Sequence, residues 1–142
     1  MDLRVAAYAV VSNEDAQILL AHWNDPRVVA WSLPGGGLEP GEHPAETVVR
    51  EVEEETGYEV TVDALLGVES DIIAEDQRSQ PNPHGPLQTL RILYRATVIG
   101  GSLRHEVNGS TDQAAWFSPA QVATLDRVPF IDGALRQAGV RA

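Results

Sequence analysis

Residues 3–11 are an apolar run suited to a β-strand, closed by the turn signal Ser12-Asn13-Glu14-Asp15. Residues 17–23 read as its hairpin partner, and Asn24-Asp25-Pro26 make the next turn. Residues 28–33 form a short extended piece, followed by a glycine loop at 34–37 where backbone can approach a ligand closely. The period then changes. At about 100° per residue, Ala45, Val48, Val49, Val52 and Thr56 share one face of a helix. Pro44 suits the first turn, Glu46 puts negative charge near the N-terminus, and Gly57 fits the left-handed residue that ends a helix. Residues 58–73 read as one long strand, and 76–86 as a polar, proline-rich loop. A further strand spans 87–99, with Leu90, Ile92, Tyr94, Ala96 and Val98 in period-2 alternation. Gly100-Gly101 is expected to turn the chain, and 103–109 fits either a strand end or a loop. Residues 114–117 make a short strand, Ser118 caps a helix with Pro119 at its first position, and a last helix covers 129–138. There is no repeat or linker, so the pattern predicts one domain over 1–142, an α/β sandwich of modest size.

Composition narrows the partners. Apolar residues make up 43% of the 142, enough for a core, and the chain has no cysteine. Disulfides, thiolate zinc sites and a cysteine nucleophile are excluded, and a cytoplasmic setting is the default expectation. The net charge of −11 argues against a nucleic-acid polymer or an anionic membrane as partner. The opening residues read as a strand rather than a signal peptide, and no stretch approaches a membrane span. Homodimerisation is left open.

The acidic end of the central helix is poor helix design. Glu51, Glu54 and Glu55 lie along the edge of the apolar face. Glu51 stands three and four residues before the other two, where like charges cost roughly 0.2–0.5 kcal/mol per pair. All three also sit at the wrong end for the helix dipole. A divalent cation reverses both effects, and clustered oxygen ligands favour Mg²⁺ or Mn²⁺ over zinc. The plain alternative for such a run is a solvated acidic face.

The spacing of the whole stretch decides against that alternative. Gly36 is followed after five residues by Glu42, and after seven more by Arg50-Glu51-Val52-Glu53-Glu54-Glu55-Thr56-Gly57-Tyr58. This resembles the Nudix box of the Nudix hydrolases, with every charged and glycine position filled and Tyr58 where the pattern has an aliphatic residue. The resemblance implies a mixed β-sheet between helices, an α/β/α sandwich. It also implies Mg²⁺- or Mn²⁺-dependent hydrolysis of a nucleoside diphosphate linked to another group, X. Clean-up of oxidised nucleoside triphosphates is one such reaction, and hydrolysis of other nucleotide derivatives is another. By the same resemblance Glu51, Glu54, Glu55 and a backbone carbonyl near Gly36 are metal ligands, with Glu54 also a candidate base. Arg50 would hold a box carboxylate by a bidentate pair, and Glu42 would reach the metal cluster directly or through water.

Outside the box the signal thins. Trp31, Arg78, His84, Arg91 and Tyr94 are of types that suit base or phosphate contacts. Against that, Trp31 and Tyr94 also suit a core and His84 an exposed loop, while Trp116-Phe117 reads as packing. Ser79-Gln80-Pro81-Asn82-Pro83 is similar to a string of the NADH-cleaving branch but lacks its aromatic residue. Ile73 and Ala74 stand where the ADP-ribose branch expects proline, so X is not readable here. In the family the general base is a box glutamate or an acid on a distant loop. Glu106 and Asp112, with Gly101 and Gly109 as hinges, are the loop candidates, and Glu106 is favoured for its reach. The competing reading is a Nudix-fold sensor or interaction module that binds a nucleotide without turning it over.

Overall fold

Six consecutive residues of the first strand, Ala6 to Val11, are at most 4% exposed, and that burial on both faces organises the molecule. The computed structural model describes residues 1–25, 28–78 and 85–140. In it β1 (Asp2–Val11) lies inside a four-stranded sheet. One neighbour is β4 (Gly35–Gly37), antiparallel; the other is β6 (Leu87–Gly101), parallel, with β5 (Tyr58–Ile73) antiparallel beyond it. A second, antiparallel sheet has the order β3 (Val28–Ser32), β2 (Ile18–Asp25), β7 (Thr111–Phe117). The helices are α1 (Pro44–Thr56), α2 (Pro119–Val122) and α3 (Phe130–Gln137).

The alternation of β1 sends its side chains into two cores. Ala7, Ala9 and Val11 pack with Val48 and Val52 of α1 and with Tyr94 and Ala96 of β6. Ala6, Tyr8 and Val10 pack with Ile18 and Leu20 of β2 and with Ile131, Ala134 and Leu135 of α3. The result is a mixed sheet with helices on both faces, as expected. No helix among the described residues is long and apolar enough to cross a membrane.

Three local expectations change. β2 is not the hairpin partner of β1; a single bridge, Ser12 to Ile18, joins their ends, and β2 crosses to the second sheet. β1 takes ten register pairs with β6 on one side and three with β4 on the other, which leaves no edge for β2 along that stretch. Gly35–Gly37 is a strand rather than a loop. It pairs so closely with β1 that a Cβ on Gly35 would stand 2.2 Å from the Ala7 carbonyl oxygen. Gly100 and Gly101 continue β6 instead of turning it, and residues 103–109 follow as irregular chain. The expected polar loop begins with a 3₁₀ turn at Glu75–Gln77. His84 and Ser79-Gln80-Pro81-Asn82-Pro83 lie outside the described residues.

Candidate active site

α1 is anchored at both ends by its own sequence. His43 Nδ1 accepts the Ala45 N–H at 3.0 Å, and Glu46 accepts the His43 N–H at 2.9 Å. Gly57 closes the helix at φ +82°, and a Cβ there would lie 2.2 Å from the Ser102 carbonyl. The buried face contains Val48, Val52 and Thr56 as expected, with Ala45 and Val49 partly buried, but it also takes in Thr47 and Glu55.

Glu55 is therefore not at the rim. It is 2% exposed, and its Oε1 accepts the Gly35 N–H at 2.8 Å. Burial pushes its carboxyl pKa well above the ordinary range, against the pull of that bond, and the charges of Glu51, Glu106 and Glu54 push the same way. Glu51 is shifted upward too, chiefly by burial, although Arg50 opposes it. Its carboxylate fills the space beside Gly36, where a Cβ would come within 2.8 Å of Cδ. Glu54 is half exposed.

Arg50 ties these groups to the loop before the helix. Nε and Nη2 donate to the two oxygens of Glu42 at 2.8 and 2.9 Å, Nη1 donates to Glu51 at 2.8 Å, and Nη2 also reaches the Gly37 carbonyl at 3.2 Å. The expected bidentate pair is thus made with Glu42. Glu42 also accepts the Thr47 hydroxyl at 2.6 Å and the Glu39 N–H at 3.1 Å, so both its oxygens are engaged inside the protein. These bonds lower its pKa from 4.5 to about 2, with Arg50 the largest cause. A carboxylate whose folded pKa lies below its unfolded value stabilises the fold above the unfolded value and loses that contribution as pH falls. The wild type should lose stability between about pH 4.5 and 2 in part through Glu42. Melting temperatures measured across that window should fall less steeply in Glu42→Gln, and parallel curves would contradict the assignment.

The loop acid comes to the same place. Arg104 binds the end of α1, its N–H to the Thr56 carbonyl at 2.9 Å and its Nη2 to the Glu53 carbonyl at 3.1 Å. Two residues on, Glu106 accepts the Thr111 hydroxyl at 2.6 Å and its N–H at 3.2 Å. Its charge raises the pKa of both Glu51 and Glu55. Asp112 instead points to the second sheet, where it pairs with His22 Nδ1 at 2.8 Å. Gly101 is packed rather than hinge-like, since a Cβ there would meet the Gly57 carbonyl at 2.3 Å.

The weaker candidates separate by place. Trp31 stacks edge-on with His22 and Phe117 beside the β2–α3 core, and Tyr94 is buried under α1. Arg78 bonds Asp2 at 3.1 Å and the Gly85 carbonyl at 2.8 Å, tying two chain segments together. Arg91 alone among these four lines a cavity of about 250 Å³ walled by both sheets and α3. Arg4 lines it too, and its guanidinium lies 3.7 Å from where a Cβ on Gly37 would stand, so the cavity opens beside the box. The sequence reading missed Arg4. By alternation Arg4 shares a face of β1 with Ala6, Tyr8 and Val10, but it stands near the start of the strand and is exposed.

A helix turn of carboxylates over a glycine strand, held by one arginine, on a mixed sheet between helices defines the class. The chain belongs to the Nudix hydrolase family: the NUDIX domain model matches residues 2–137. Among curated relatives, a Bacillus subtilis (strain 168) protein provisionally named 8-oxo-dGTP diphosphatase is 48% identical over 116 residues, 82% of this chain and 67% of that protein. The ADP-ribose pyrophosphatase of Methanocaldococcus jannaschii is 36% identical over 100 residues, 70% of this chain and 54% of its own. The chain thus spans between about half and two thirds of those relatives' length. Among solved structures, a NUDIX hydrolase from Nitrosomonas europaea superposes with a TM-score of 0.78 at 26% identity, covering 99% of this chain and 92% of that one.

Proposed function

We propose that the protein is a divalent-metal-dependent pyrophosphohydrolase acting on small nucleotide derivatives in the cytoplasm. The observation that carries the reading is the set Glu51, Glu54 and Glu55 on one helical turn, with Glu106 close enough to perturb two of them. The names of the two curated relatives, both hydrolases of a phosphoanhydride, support it.

The donor set fits a hard divalent cation. It consists of carboxylates with Arg50 bonded among them, and the missing side chain of Gly36 leaves the space that the Glu51 carboxylate occupies against the glycine strand. Among the described residues no three such groups converge at ligand spacing, because Glu51 turns to Arg50 and Glu55 to the Gly35 N–H. Glu51, Glu54, Glu55 and the Gly36 carbonyl would hold Mg²⁺ or Mn²⁺. Bound there, the ion supplies charge neutralisation on the pyrophosphate oxygens and activation of water. The chain's own contributions are distinct. Arg50 and Glu42 fix the loop and Glu51 in register, Glu55 ties α1 to β4, and Glu106 accepts a proton from the attacking water. Glu42 acts as a positioning residue for Arg50 rather than as a ligand.

The test is incubation with Mg²⁺ or Mn²⁺ and a panel of nucleoside triphosphates, dinucleotides and nucleotide sugars, with products identified by mass. Cleavage at the pyrophosphate, lost on chelation, is expected. Tight nucleotide binding without turnover would instead establish a sensor.

A further inference from the structure

α1 covers only part of its side of the four-stranded sheet, and the part left open is apolar. The register sets Leu3 beside Gln88 and Ile72, Val5 beside Leu90 and Ser70, and Ala7 beside Ile92 and Val68. Leu65 follows beside Tyr94. These residues share the face of Ala7, Ala9 and Tyr94, which pack under α1 further along the strands. Away from the helix, Leu3, Leu65, Val68 and Ile72 are 62%, 60%, 54% and 64% exposed.

The charges lie on the wrong side for a face that meets water. The chain is 22% charged. Yet within the paired stretches 2–5, 68–73 and 87–92 every charged residue, Asp2, Arg4, Glu69, Asp71 and Arg91, holds an alternate position and so belongs to the opposite face. There Arg91 bonds Asp71 and lies 4.8 Å from the Phe130 ring centre of α3. The exposed face carries two polar side chains, Gln88 and Ser70, and they bond each other at 3.2 Å. A solvated sheet face normally takes the polar half of the alternation, and a contiguous apolar one marks a contact surface.

We propose that this face is where two copies of the chain meet, stacked sheet on sheet about a two-fold axis. With strands about 4.8 Å apart and about 3.3 Å of rise per residue, the rows from Met1 to Leu65 make a face of roughly 30 × 15 Å, about 450 Å² per copy. Met1, next in the alternation of β1, is 67% exposed and extends it. The pair buries about 900 Å², close to the roughly 1,000 Å² at which specific association begins, so the dimer is weak and depends on concentration. The lack of charge favours a second copy over an unlike protein. Homodimer interfaces are the more apolar class, and a face without charges cannot steer or select a charged partner. Pairing edge to edge through β5 is the poorer geometry. β5 is the margin of its sheet, but its register shifts between Glu59 and Val60, Val62 and Ala64, and Leu65 and Gly67 break the ladder that an added strand needs. The surface lies across the sheet from Arg4 and Arg91 and contains no box residue, so it stands independently of the hydrolase reading.

Sedimentation equilibrium of the whole chain, from low micromolar to near-millimolar protein, should show a monomer–dimer equilibrium, and the melting temperature should rise with protein concentration. Added sodium chloride should tighten the dimer, because each copy carries a net charge of −11 and salt screens that repulsion. Val68→Asp should weaken association by about tenfold or more, since it buries a carboxylate against the second copy without a partner. Ile72→Asp should do the same. Both positions are more than half exposed in the single chain, so circular dichroism should show the fold retained. Val29→Asp, at a position 59% exposed on the second sheet, should leave association unchanged. A wild type that stays monomeric over the whole range overturns the proposal. If that monomer floats with phosphatidylcholine vesicles, the face belongs to a membrane instead. Association of wild-type strength in folded Val68→Asp and Ile72→Asp puts the contact elsewhere and overturns it too, as does a dimer that salt disperses. Should either variant fail to fold, Leu3→Asp on the far side of the same face gives the same reading.

Discussion

Glu55→Gln should abolish most turnover and yet make the metal-free protein more stable at neutral pH. The two effects share a cause. The carboxyl group is 2% exposed and surrounded by Glu51, Glu54 and Glu106, so its folded pKa is raised well above 4.5. An acid with a raised folded pKa contributes most to stability when protonated. Its contribution is fully present below the unfolded value and is lost as pH rises through the folded one. At pH 7.5 the metal-free wild type carries that loss, and glutamine removes it while still accepting the Gly35 N–H. The melting temperature of the metal-free protein should therefore rise above the wild-type value. Mg²⁺ or Mn²⁺ at millimolar concentration should raise the wild-type melting temperature, since a ligand of the native state stabilises it, and should raise the variant's less. Turnover at saturating metal should fall by about 100-fold or more, with the circular dichroism spectrum unchanged. Glu54→Gln should lose activity similarly; it is half exposed, so its gain in stability should be smaller than that of Glu55→Gln. Near-normal turnover in both variants would remove the metal-ligand assignment, and a metal-free Glu55→Gln no more stable than wild type would remove the electrostatic account.

Why Glu55 looked like a rim residue and is a buried one shows where sequence reading stops. The period of α1 and its end signals are local, and they predicted the helix over residues the structure confirms. Burial of Glu55 depends on β4 crossing over the helix, and β4 exists because glycines at 35–37 can lie against β1 without side chains. No periodicity within the helix carries that information. The same limit explains β1. Its apolar run marked a strand, but its main partner β6 lies 85 residues further along, and proximity in sequence favoured β2 instead. The resemblance to the Nudix box marked Arg50 as a bidentate clamp on a carboxylate of the box. Which carboxylate it would take depended on the loop that brings Glu42 beneath it. Trp31 and Tyr94 were of the right chemical type for a base contact, but type does not say which face of a sheet a side chain joins. Tyr94 shares the face of Ala96, under α1, whereas Arg91 shares that of Thr89 and Leu93, on the cavity side. Alternation along β6 separates the two sets of positions. The side on which the cavity lies could be known only once the second sheet was in place.

Glu106→Gln should lower kcat and kcat/KM together by about 10²–10⁴-fold, with KM little changed. The physical case is one of commitment. Glu51 is bonded to Arg50 and Glu55 to the Gly35 N–H, so both are occupied in holding the site together. Glu106 has one oxygen fixed by the Thr111 hydroxyl and N–H, which sets the plane of the carboxylate, and the other oxygen has no hydrogen bond among the described residues. The segment that carries it is fastened to the end of α1 by Arg104, so it is held near the box without belonging to it. Gly109 leaves the room it needs, since a Cβ there would lie 2.1 Å from the Glu106 carboxyl carbon. Gly109→Ala should therefore impair turnover by displacing Glu106, and by less than Glu106→Gln, because the acid is still present. The pH–rate profile of Glu106→Gln should lose its acidic limb, a change that a merely structural residue does not produce. The metal-induced rise in melting temperature should match the wild type, which separates a base from a ligand. Asp112→Asn, which breaks the pair with His22 on the other sheet, should leave the profile intact. A Glu106→Gln enzyme with unchanged kcat would pass the role to Glu54, the half-exposed carboxylate of the helix. One that loses the metal-dependent stabilisation along with activity would make Glu106 a ligand.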